Sequence, residues 1–183
     1  MEAELTLRIP AESDRAAVER YKREMLENGD AAIDGGALLE RMDFDAWLEN
    51  LRRNSRPETV RRDWVVSSAF LAVRQRDGAL VGMLDVRHSL DNPFLRDCGG
   101  HIGYSVRPSE RRKGFGAEIL RLGLAYARSL GLRRVMLGCW DDNTASKRTI
   151  LRCGGVLTEQ KTRENRTVDV WWIHLTEEGG QSC

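Results

Sequence analysis

Between His101 and Gly131 the chain passes from a short apolar strand into a long amphipathic helix through a basic, glycine-rich turn, which restricts the folds open to it. The strand reads His101-Ile102-Gly103-Tyr104-Ser105-Val106, and Pro108 closes it. Phe115, Ile119, Leu122 and Tyr126 then recur at helical spacing as far as Leu130, with Gly131 as the stop. The turn is Arg111-Arg112-Lys113-Gly114-Phe115-Gly116-Ala117. A helix that opens in this way points free backbone N–H groups and the positive end of its dipole at one spot. Glycine lets an anion approach the backbone, and two arginines and a lysine add charge. The expected property is a diphosphate cradle.

Spacing narrows the kind of cradle. A nucleotide-hydrolase loop needs Gly, four residues, then Gly-Lys-Ser/Thr, which the chain lacks. The dinucleotide fingerprint Gly-x-Gly-x-x-Gly fails because Ile119 stands where its last glycine belongs. The pattern Arg-x-x-Gly-x-Gly does fit, as Arg111-Arg112-Lys113-Gly114-Phe115-Gly116. It resembles the acetyl-CoA-binding motif of the GNAT family of N-acetyltransferases, and Val106-Arg107-Pro108 is similar to the strand end that precedes the loop there.

A second stretch keeps register with that family. Arg133 to Trp140 reads as a short buried strand, followed by Asp141-Asp142, then Asn143-Thr144-Ala145-Ser146 and a helix to Arg152 closed by Gly154-Gly155. The family pattern is Asn, a small residue three on, an aromatic seven on, then Gly-Phe. Asn143, Ser146, Ile150 and Gly154-Gly155 occupy those positions, so Ile150 replaces a tyrosine and Gly155 a phenylalanine. Asp142 or Asn143 is suited to cap the helix.

The remaining elements read as a strand Leu5 to Ile9, a helix from Ser13-Asp14 to about Gly29, and a helix from about Leu38 to Arg53. Hairpins follow from Ser68–Arg74 with Leu80–Arg87, and from Val156–Lys161 with Val168–Leu175; His88 to Gly100 reads as irregular. The resemblance implies an α/β (α+β) fold of GNAT type, a mixed, mostly antiparallel sheet flanked by helices. Its two central parallel strands, His101–Val106 and Arg133–Trp140, would splay apart for acetyl-CoA. One domain is expected over residues 1–183, with a frayed tail from about 177.

Composition bounds the partners. Twenty-nine basic against 28 acidic residues give a formal charge of +1, without the positive excess of a nucleic-acid surface. No apolar run is long enough to span a membrane. Cys98, Cys139, Cys153 and Cys183 show no paired or metal spacing, and the acidic start Met1-Glu2-Ala3-Glu4 is unlike a signal peptide. A reducing cytoplasm and no metal are expected.

By the resemblance, acetyl-CoA as co-substrate meets Arg111, Arg112, Lys113, Gly114, Phe115, Gly116 and Ala117 at its diphosphate. Backbone N–H groups of Ser105 and Val106 meet its carbonyl, and Asn143 and Ser146 also contact it. Acetyl transfer to an amine further requires a base and an acid toward sulfur. His88 and His101 are the candidate bases, since imidazole titrates near neutrality, with Asp85 and Glu110 behind them. Ile150 cannot supply a proton, which leaves Tyr104 or unaided departure of the thiolate. Asn143 either bonds the cofactor or only caps its helix. The acceptor, a small-molecule or protein amine, is expected at the two N-terminal helices, their loop and the segment His88 to Asp97; in the helices and loop, Asp30, Asp34, Asp43 and Asp45 either attract a cation or favour helix starts. A homodimer is admitted. The missing tyrosine keeps open a non-catalytic acyl-CoA-binding or sensor module.

Overall fold

The order of elements expected from the sequence is the order found in a computed structural model that describes residues 4–175. The chain runs β1 (Leu5–Arg8), α1 (Arg15–Glu27), α2 (Phe44–Asn54), β2 (Ser67–Arg74), β3 (Leu80–Arg87), β4 (Ile102–Val106), α3 (Phe115–Ser129), β5 (Arg134–Trp140), α4 (Thr144–Arg152), β6 (Val156–Arg163) and β7 (Arg166–His174). The expected frayed tail and Cys183 lie outside the described residues.

Two starts differ from expectation for local reasons. Asp14 is spent before α1, taking the Ala11 N–H at 2.8 Å and Arg8 at 2.6 Å, so a short 3-10 turn precedes the helix. The second helix begins at Phe44 rather than near Leu38. Ala37 and Leu38 hold positive φ, and Asp43 caps the true start by accepting the Ala46 N–H at 2.8 Å. The segment expected to be irregular carries a π-helical turn, Leu95–Gly99, whose start is held by Asn92 Oδ1.

Every ladder among the described residues is antiparallel. One sheet has the order β1-β2-β3-β4 and the other β5-β7-β6. Alternation along β2 and β3 gives the first sheet two buried faces. Leu71, Val73 and Met83 meet Val18, Tyr21, Trp47 and Leu48 of α1 and α2. Leu84, Val86 and Ile102 meet Ile119, Leu120 and Leu124 of α3, and this second core continues into Leu137, Trp171 and Ile173 of the other sheet. Each fully buried aliphatic side chain here stabilises the fold by roughly 1.5–3 kcal/mol.

The two sheets meet at β4 and β5, joined across the helix α3. These strands share no ladder; one isolated bridge, Gly100 with Leu137, links their ends, and it is antiparallel. The expected pair of splayed parallel strands is therefore not seen among the described residues. Among the described residues, no helix is long and apolar enough to cross a membrane, and Cys98, Cys139 and Cys153 are free thiols.

Candidate active site

A cleft of about 750 Å³ opens where the C-terminal end of β4, the N-terminus of α3, the exposed face of α4 and the segment after α1 converge. Its floor is the basic turn. Gly114 sits at φ +92°, a left-handed value that costs other residues dearly, and it releases the chain directly into α3. Five successive backbone N–H groups, Arg112 to Gly116, have no hydrogen-bond acceptor among the described residues; the next, Ala117, already bonds Gly114. Such a run with a helix dipole behind it fits an anionic diphosphate.

The cations of the turn divide by task. Arg111 donates Nε to the Val106 carbonyl at 3.0 Å and Nη2 to both Asp30 oxygens at 2.9 Å, so it ties the turn to β4 and to the segment after α1. Lys113 is held by Glu110 at 2.9 Å. Arg112, in a left-handed conformation at φ +63°, is exposed and forms no ion pair among the described residues. Phe115 and Ala117 are buried and anchor the helix start, while Gly116 lines the cleft beside Thr149 and Val106.

The facing wall is α4. Asn143 accepts the Ser146 N–H at 3.0 Å, so its side-chain oxygen is a helix cap; the residue also lines the cleft. Ser146 and Thr149 turn toward the cleft, and Ile150, 1% exposed, turns into the core. Tyr104 crosses from β4 to this wall, with its hydroxyl 3.3 Å from Ser146 Oγ. Burial pushes its phenol up to about 12, against the opposing effect of hydroxyl partners on α4. The α4 rim adds Arg148 and Arg152, one turn apart, exposed and without ion pairs among the described residues. Their contribution was not drawn from the sequence, although the four-residue spacing carried it.

Antiparallel alternation decides which β4 amides are free. His101 and Arg107 bond β3, so Ser105 between them also faces β3, and the N–H groups of Tyr104 and Val106 face the gap. The placement expected for the Ser105 amide is corrected, since the β3 ladder takes it up. The Ser105 hydroxyl lines the cleft and bonds Tyr21 at 3.0 Å.

Neither histidine lines this cleft. His88 Nε2 lies 2.9 Å from Ser68 Oγ, which in turn meets the Tyr126 hydroxyl at 2.8 Å, a chain on the α3 face of the sheet. His101 is buried, and its Nδ1 accepts the Met136 N–H of β5 at 3.0 Å while its own N–H bonds the Met136 carbonyl. Burial, then Arg87 and Arg134, lowers its imidazole to about 4. The structure corrects both placements: His101 fastens β5 to the end of β4, and His88 belongs to a hydroxyl network. A second depression of about 460 Å³ lies over Met136 and Trp172, but Lys161 there is engaged by Asp97 at 3.3 Å and Glu159 at 3.6 Å.

A run of free amides at the start of α3, beside two strands that share no ladder and facing a capped helix with hydroxyls toward the cleft, is an arrangement suited to an anionic ligand. A family model for the acetyltransferase (GNAT) domain matches residues 4–156, and the chain belongs to that family of acetyltransferases. The structure is similar to Mycobacterium smegmatis RimJ in complex with CoA-disulfide, with TM-score 0.71, 21% identity, and 97% and 85% of the two chains covered. It is also similar to the ribosomal-protein-S5-alanine acetyltransferase of Vibrio fischeri, with TM-score 0.70, 15% identity, and 95% and 94% covered. Similarity extends to the spermidine/spermine N-acetyltransferase SpeG of Vibrio cholerae, with TM-score 0.64, 15% identity, and 94% and 95% covered. No curated protein gives a significant match.

Proposed function

We propose that this chain is a cytoplasmic, single-domain N-acetyltransferase that passes the acetyl group of acetyl-CoA directly to a primary amine of a small molecule or a protein. The observation that carries the reading is the run of free N–H groups from Arg112 to Gly116, opening into the same cleft as the Tyr104 hydroxyl. The similar structures named for ribosomal-protein alanine and for spermidine/spermine support an amine acceptor of either kind. A formal charge of +1 supports a reaction without nucleic acid.

Acetyl-CoA, as donor substrate, supplies a thioester whose carbonyl carbon accepts the nitrogen. The turn neutralises the diphosphate with backbone N–H groups and Arg112, while Arg148 and Arg152 add positive field along the rim. The Tyr104 and Val106 N–H groups border the gap as donors for developing negative charge on oxygen. Tyr104, kept protonated by its raised pKa, is the proton source for sulfur. This answers the absence of a tyrosine at position 150: the hydroxyl arrives from β4 and meets α4 one turn before Ile150.

The test pairs calorimetric titration with acetyl-CoA and a thiol-release assay over a panel of amines. Binding in the micromolar range with turnover supports the enzyme; absence of binding refutes it, and tight binding without any turnover favours the sensor module. Tyr104→Phe is expected to keep the affinity and lower kcat by about 100-fold.

A further inference from the structure

Three carboxylates line the cleft, and two are already committed: Asp30 to Arg111 at 2.9 Å, and Glu110 to Arg74 at 2.8 Å and Lys113 at 2.9 Å. Asp34 is the third, and it has no hydrogen bond or ion pair among the described residues. Its position is fixed by its neighbour. Gly35, at φ +75°, lies so close to β4 that a Cβ there would fall 2.6 Å from the Gly103 carbonyl oxygen and 2.9 Å from the Tyr104 Cα. Only glycine allows this approach. The loop after α1 is thereby pressed onto β4 at the residue that carries the cleft hydroxyl, and Asp34 is held at the same level.

We infer that Asp34 is the group that receives the amine acceptor and takes its proton, so the enzyme selects substrates bearing a cationic amine. The inference rests on the acetyltransferase reading above and assigns the base that neither histidine provides.

The surroundings suit the task. Asp34 reaches solvent at the cleft mouth, yet protein crowds it on the other sides, and burial raises its carboxyl; Arg87 opposes that rise, whereas Glu40 and Asp30 add to it. Arg87 is itself shared with Asp85 at 2.9 Å and with the Gly99 carbonyl at 3.0 Å, and Asp30 with Arg111. An ammonium brought to Asp34 thus meets the one cleft carboxylate with no competing cation in contact. A carboxylate raised above its ordinary range is also a better proton acceptor than an ordinary one.

The acceptor enters as an ammonium, and Asp34 takes one proton and passes it to solvent at the mouth. The nitrogen lone pair attacks the thioester carbon and a C–N bond forms. The C–S bond breaks with its electron pair going to sulfur, which takes the phenolic proton of Tyr104. A second nitrogen proton leaves through Asp34 to solvent, and Tyr104 regains one from solvent. The products are an amide, a thiol and one net proton.

The experiment compares wild type, Asp34→Asn and Asp34→Glu, using benzylamine, spermidine and a hexapeptide with a free N-terminal alanine. Acetyl-CoA affinity is measured for each protein by calorimetry, and kcat/KM against pH with the best of the three amines. Asp34→Asn is expected to bind acetyl-CoA within twofold of wild type and to lose about 100-fold in kcat/KM near neutrality. Its remaining rate should climb about tenfold per pH unit as free amine accumulates, while Asp34→Glu recovers part of the loss. In the free wild-type protein, the carbon-13 resonance of the Asp34 carboxyl should titrate above the ordinary carboxylate range, and benzylamine should lower that midpoint. An Asp34→Asn protein with wild-type kcat/KM and pH profile, or an Asp34 resonance insensitive to benzylamine, overturns the inference and leaves the cofactor reading intact. Failure of wild type to bind acetyl-CoA overturns both.

Discussion

His101 is expected to make the fold acid-sensitive in a way that identifies its role. Its Nδ1 lone pair accepts the Met136 N–H at 3.0 Å, and the residue is 6% exposed, so solvent does not screen the site. A proton on Nδ1 would set two donors face to face. The imidazole is accordingly lowered from the ordinary 6.5 to about 4, with burial as the largest cause. Between those values the unfolded chain binds a proton that the folded chain refuses, so stability rises with pH across the window and is lost as pH falls through it. At 1.36 kcal/mol per pH unit the full loss is about 3 kcal/mol, most of it complete by about pH 4.5. The assay is urea unfolding followed by the fluorescence of the five tryptophans, at about pH 7 and about pH 4.5, in wild type and His101→Asn. The asparagine oxygen can accept the same N–H without titrating; the smaller side chain should lower stability by roughly 1–3 kcal/mol at both pH values. Carboxylates held low in the native state, such as Glu24 and Asp169, weaken both proteins alike on acidification. Wild type should therefore lose about 2–3 kcal/mol more than the variant. Equal losses would refute the neutral-acceptor role.

Gly114→Val should weaken acetyl-CoA binding at least about tenfold by calorimetry, because φ +92° strains a β-branched residue by roughly 1–3 kcal/mol and the turn must move. Gly116→Ala should leave the melting temperature unchanged, since its Cβ would meet Thr149 Oγ1 at 3.5 Å and Val106 Cγ2 at 3.7 Å, both ordinary contacts. Arg148→Glu combined with Arg152→Glu should cost roughly tenfold in acetyl-CoA affinity at low ionic strength, with the gap from wild type closing as salt is raised. A salt-independent gap would mean that the two side chains act through packing.

The elements that could be read from the chain are those whose period is local. The switch from β4 to α3, the hairpins, and the Asn143 cap all declare themselves within a dozen residues, and the run of free amides in the turn belongs to the same stretch. The start of α2 lies beyond the expected position because Leu39 and Met42 continue a helical spacing in sequence, while the backbone is redirected by positive φ at Ala37 and Leu38. The histidines show the opposite limit. An imidazole's capacity to titrate is written in its chemistry, but the group that takes its lone pair is not: for His101 it is the Met136 amide, 35 positions away on another strand. Asp34 lies in a loop with no period at all, so only the seating of Gly35 on β4 reveals what it faces.

The substitution at position 150 has a geometric reason that bears on the mechanism. Ser146 and Thr149 line the cleft, whereas Ile150 is buried in the core, where Gly155 is closed onto it: a Cβ on Gly155 would lie 2.3 Å from Ile150 Cγ2. A phenol at position 150 would need room that this packing has removed. Tyr104 stands at the junction of the same surfaces, on the strand that borders the gap, with its hydroxyl already against α4. A tyrosine added at position 150 should therefore destabilise the fold by overpacking, typically 1–3 kcal/mol, without restoring the activity that Tyr104→Phe is expected to lower.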